Sequence, residues 1–150
     1  MNILALLING VSLPHHVVDK SLHLAMHNKM FIKVVIVFEN IDEKDYTLPK
    51  NIPVSRADLS DSNAAKSMED LIRHNSEYIE STFIQHKVDY NIIILKNPDI
   101  AAIELELKDA DKILIDHETF THPDEFAYIN ISEKDLTEHI ATKIEWCKRK

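Results

Sequence analysis

The chain has 150 residues, 45% of them hydrophobic and 28% charged, which is the composition of a globular domain rather than of a disordered or membrane-spanning segment. It contains one glycine, Gly10, where average usage would give about ten, so the glycine-rich loops that cradle phosphates in P-loop and dinucleotide-binding proteins cannot be written. Lys and Arg number 17 against 25 Asp and Glu, a net charge of −8 that offers no basic footprint for nucleic acid.

The run Ile3-Leu4-Ala5-Leu6-Leu7-Ile8 is apolar without alternation and ends at Asn9-Gly10, the pattern of a strand buried on both faces of a parallel sheet. Its first basic residue is Lys20, so it lacks a signal peptide's charged leader, and it is too short to span a bilayer. A soluble, cytoplasmic protein is expected, with no membrane partner. The spacing predicts a helix from about Pro14, with Val18, Leu22, Ala25 and Met26 on one face. The β-branched stretch Ile32 to Phe38 predicts a second strand.

From Asn40 to Asp61 the patterning lapses, as in a long functional loop. Ser62 is placed to cap a long helix with the stripe Met68, Leu71, Ile72, Ile79 and Phe83. Ile92-Ile93-Ile94-Leu95 reads as a third, central strand. Asn97-Pro98-Asp99 opens a helix through Lys108, and Ile113-Leu114-Ile115 makes a fourth strand. A fifth strand is read at Phe126–Ile131, followed by a capping arrangement at Ser132 and Asp135 for a final helix to about Cys147. The short connection between the fourth and fifth strands points to an edge strand, antiparallel or paired with another subunit. Strands alternating with helices over residues 1–150 predict a single α/β domain with a mostly parallel five-stranded sheet.

Nine histidines raise the question of metal binding. His15, Asp19, His23 and His27 recur at four-residue steps, but this is also how a solvated helix face is spaced. The segment after the fourth strand, with Asp116, His117, Glu118, His122 and Asp124, is the better candidate, because ligands of parallel sheets bind beyond the strands' carboxyl ends. Within it His117, His122 and Asp124 are the residues assigned to a divalent cation. Cys147 is the only cysteine, so there is no internal disulfide, and neither it nor Ser12 or Ser21 has a nucleophile's setting. A phosphoreceiver layout is excluded by Asn9-Gly10 and Lys96-Asn97, where that class needs acids.

Asn2 to Gly10, the small residues Ser21 and Ala25, and the strand ending at Phe38-Glu39 resemble the opening of universal stress proteins. Lys96-Asn97-Pro98, the helix after it, and Ala110-Asp111-Lys112-Ile113-Leu114-Ile115 resemble that superfamily's passage into its fourth strand. The resemblance covers residues 2–116 and implies strand order 3-2-1-4-5 and a homodimer. It also implies a nucleotide edge at Asn9, Gly10, Val37 and Asp116. The chain departs from the family where phosphates are held. A Gly-x2-Gly-x9-Gly-Ser/Thr motif is replaced by Asp116-His117-Glu118-Thr119-Phe120-Thr121-His122-Pro123-Asp124-Glu125, whose four carboxylates oppose a triphosphate. The resemblance therefore implies a non-catalytic, stress-associated or regulatory protein without ATP bound in the family manner. A nucleotide-binding or nucleotide-hydrolysing protein (ATP or AMP) and a divalent-metal-binding protein are the alternatives.

Overall fold

In a computed structural model, residues 2–10, 13–38, 61–96, 98–117 and 143–148 are described, with the backbone alone for 61–68. The elements in chain order are β1 (Ile3–Asn9), α1 (His15–Asn28), β2 (Phe31–Phe38), α2 (Asp61–Gln85), β3 (Tyr90–Lys96), α3 (Ile100–Leu107), β4 (Lys112–Asp116) and β5 (Ile144–Cys147). They build one five-stranded sheet of order β3-β2-β1-β4-β5, and every pairing is parallel.

The unbroken apolar run of β1 follows from its central place. Leu4, Leu6 and Ile8 enter a core beneath α1 and α2 with Val18, Leu22, Ile72, Ile79 and Phe83. Ala5 and Leu7 enter a second core on the opposite face with Ile103 and Leu107 of α3. A strand covered on both sides has no position at which a polar side chain would be solvated. The amino end of the sheet is tied by a reciprocal pair in which the Ile3 amide donates to Asp111 Oδ2 (2.7 Å) and the Asp111 amide to the Ile3 carbonyl (2.8 Å). Helix α3 starts where Asp99 accepts from the Ala102 amide through Oδ1 at 2.8 Å, an N-cap satisfying one of the helix's orphan donors.

Four expectations change. Ile144–Cys147, expected to finish a helix, is a strand parallel to β4 at the sheet edge. Residues 117–143 lie between the two strands, enough chain for a parallel crossover, and the stretch Phe126–Ile131 lies outside the described residues. The third strand is at the other edge of the sheet rather than central, and Ile94 is exposed there. Met26 and Leu71 are exposed, by 56% and 40%, because each sits at the rim of its helix's buried stripe. The long loop 40–60, the Ser62 side chain and Met68 lie outside what is described. Among the described residues no helix is long and apolar enough to cross a membrane.

Candidate functional site

All four residues of the expected nucleotide edge lie at the carboxyl end of the sheet. Asn9 ends β1 in register with Val37 of β2. Asp116 ends β4, one step beyond the pairing of Leu7 with Ile115. The Gly10 amide donates to the Val37 carbonyl at 2.9 Å, so the turn leaving β1 is pinned to β2. Asn9 and Asp116 are each only 1% exposed, and Val37 is fully buried. The four residues lie at one edge, and Asn9, Val37 and Asp116 are buried there.

Gly10 sits in tight space but not in a left-handed backbone conformation, since its φ is not positive. A Cβ on it would meet Ile36 Cγ2 and Ile72 Cγ1 at 3.0 Å each. Its carbonyl accepts from Asn75 Nδ2 at 2.9 Å, a buried bond that seats α2 directly against the tip of β1.

The residue that organises this edge is His16, in the first turn of α1. Its Nε2 lies 2.9 Å from Asp116 Oδ1 and 3.4 Å from the Cys147 carbonyl oxygen. Both partners are acceptors, so Nε2 carries the proton and a neutral ring keeps its lone pair on Nδ1. One side chain thereby joins α1 to the ends of β4 and β5. Asp116 is a buried carboxyl with an ionisable ring nitrogen 2.9 Å from its Oδ1, a pairing of the kind that makes a buried charge tolerable.

Beside this pair opens a cleft of about 660 Å³ lined by His16, Asp19, Lys20, Trp146, Cys147 and Lys148. Glu145 supports its wall, taking Lys20 Nζ at 3.0 Å and Lys112 Nζ at 3.2 Å. Burial works to raise the Glu145 carboxyl, but the two lysines outweigh it and hold it below its ordinary value. Burial pushes the Cys147 thiol up, against the formation of a thiolate.

Of the expected metal ligands, His117 is half-buried with its ring edge-on to Trp146, centroids 6.2 Å apart. His122 and Asp124 lie outside the described residues. On α1, His15 packs edge-on against Tyr78, while His23 and His27 stack with a 2° interplanar angle. Among the described residues no three His, Cys, Asp or Glu side chains converge as a metal site. His16 was not apparent from sequence because its partners come from β4 and β5. The available signal was topological: in a parallel sheet the first turn of a crossover helix stands over the strands' carboxyl ends.

No protein-family profile and no curated protein matches the chain. Solved structures do. A universal stress protein family member from Burkholderia pseudomallei superposes with a TM-score of 0.62 at 15% identity, covering 97% of this chain and 95% of its own. One from Arabidopsis thaliana, with AMP bound, gives 0.60 at 13% identity over 100% and 93%. A third, from Lactobacillus plantarum, gives 0.58 at 15% over 97% and 96%. The chain has the universal stress protein fold.

Proposed function

On that fold, we propose that the chain is a non-catalytic, stress-associated regulatory protein that does not hold ATP in the manner of the nucleotide-binding universal stress proteins. The observation that carries this reading is the end of β4, where the buried Asp116 carboxylate is held by His16 at 2.9 Å. Phosphates placed at that edge would meet a fixed negative charge, and Glu118, Asp124 and Glu125 follow it in sequence. Each like charge at about 4 Å opposes binding by roughly 1 to 4 kcal/mol between bulk-water and near-surface screening. A homodimer in the cytoplasm belongs to the same reading.

Thermal melting with ATP, AMP and divalent cations, alongside mass spectrometry of the denatured protein, tests it. A ligand of the native state must raise the melting temperature. The expected result is no rise with millimolar ATP and no co-purified nucleotide; an ATP-dependent rise overturns the proposal.

A second reading is favoured by the AMP-bound Arabidopsis structure. Asn9, Gly10 and Val37 would hold a nucleoside while Asp116 excludes longer phosphate chains. A rise with AMP or adenosine but not ATP selects it. The metal alternative requires a rise with zinc that disappears when His117 and His122 are replaced.

A further inference from the structure

At the amino edge of the sheet, away from the site above, the ends of α1 and α2 enclose a cleft of about 380 Å³. That volume falls within the range of small-molecule pockets, about 300–1,000 Å³. Its apolar lining comes from Ala25, Met26, Met30, Phe31 and Val88, and its rim carries Lys29, Lys87, His86 and Asp89. Met26, which lines this cleft, is one of the most exposed large apolar side chains described.

The two lysines are unusual in the same way. Lys29 has φ 53° and Lys87 φ 56°, and they are the only non-glycine residues with positive φ among those described. Each follows a helix end, where glycine is the ordinary occupant. Neither has a carboxylate partner among the described residues, which they share with Lys96, Lys108, Lys143 and Lys148 but not with the ion-paired Lys20, Lys33 and Lys112. Nor are their ammonium groups needed by the helix ends. The Ala25 carbonyl accepts from the Lys29 and Met30 amides, and those of Thr82, Phe83 and Ile84 accept from the amides of His86, Val88 and Lys87. His86 Nδ1 donates to the Thr82 carbonyl as well, at 2.8 Å. In a chain of net charge −8, two uncommitted cations therefore flank one apolar cleft.

We propose that this cleft binds a small monocarboxylate with an apolar body. The carboxylate lies between Lys29 and Lys87, and the body lies on Met26, Met30, Phe31 and Val88. The thioethers suit such a ligand because methionine adapts to irregular apolar shapes. Asp89 on the rim disfavours a dianion and limits the head group to one charge. An anionic bilayer is the other source of such chemistry, but the protein's net negative charge repels it.

Isothermal titration of the full chain with octanoate is the experiment, with octanol, octylammonium and anionic phospholipid vesicles as parallel titrants. Saturable binding of octanoate is expected, with amide shifts in its NMR spectrum confined to residues 25–31 and 86–89. Octanol and octylammonium are expected to bind at least about tenfold more weakly, the loss of a charge-assisted contact. Lys29→Gln with Lys87→Gln is expected to weaken octanoate by a similar factor while leaving the melting temperature close to that of the parent. Should that double variant fail to fold, the single variants and the shift map of the unmodified protein decide. The proposal is overturned by absence of saturation at 10 mM octanoate, by equal binding of octylammonium, by shifts elsewhere, or by vesicles binding in preference to free octanoate.

Discussion

At the scale of single residues, the scarcity of glycine sets two opposite constraints. At Gly10 the backbone conformation is open to any residue but the space is not, since a Cβ would press on Ile36 and Ile72 at 3.0 Å. Gly10→Ala is therefore expected to destabilise the fold by about 1–3 kcal/mol, as overpacking does, read as a lower urea midpoint with an unchanged m-value. At Lys29 and Lys87 the conformation is strained and the space is not limiting. Lys29→Gly and Lys87→Gly should each stabilise by up to about 1 kcal/mol, the size of the left-handed penalty for a side chain. A glycine at the turn after β1 was legible in the sequence as Asn9-Gly10. Its reason was not, because Ile72 and Asn75 arrive from α2, far along the chain.

At the scale of elements, the His16 bridge decides how α1 is set on the sheet. Replacing His16 with Ala removes the bond to the Cys147 carbonyl and the ring nitrogen beside a buried carboxyl, and a loss of about 1–3 kcal/mol is expected. The combined change with Asp116→Asn should cost less than the sum of the two single changes, which a double-mutant cycle in urea will read. The edge strand β5 is held differently, by Glu145 between Lys20 and Lys112. Its carboxyl is held below the ordinary value of 4.5, so its contribution is present above that pH and fades as pH falls through the lower, folded value. Glu145→Gln should flatten stability against pH in that acidic window. Because the carboxylate is about a third exposed, the effect at neutral pH should stay below about 1 kcal/mol. Strands β1, β2 and β4 and helices α1, α2 and α3 were legible from apolar runs and spacing. Strand β5 was misread as helix because four residues, Ile-Glu-Trp-Cys, carry no period of their own.

At the scale of the whole molecule, the two cores divide the chain by face. One holds α1 and α2, and the other holds α3. Cys147 reports on the first of these from the far end of the chain. Its thiol is buried and its ionisation suppressed by burial, so alkylation in the native protein at pH 8 should be much slower than in urea. If the native thiol reacts as fast as the unfolded one, β5 is not docked as described. The remaining liability is the pair of sheet edges, which pair with nothing on their outer sides within the described chain. That is where the proposed homodimer could form, and sedimentation equilibrium will give its stoichiometry.

The sequence by itself determined the α/β class and the mostly parallel sheet, because hydrophobic periodicity is written locally, while the edge formed by Asn9, Gly10, Val37 and Asp116 was implied by the resemblance to universal stress proteins. It also carried the missing phosphate loop, which is a matter of residue type. Tertiary structure alone decided that Asn9 and Asp116 are buried, that His16 lies against Asp116, and that Lys29 and Lys87 line one cleft. Each of these joins side chains from different elements, and no local period records which distant group a side chain will meet once the sheet is assembled.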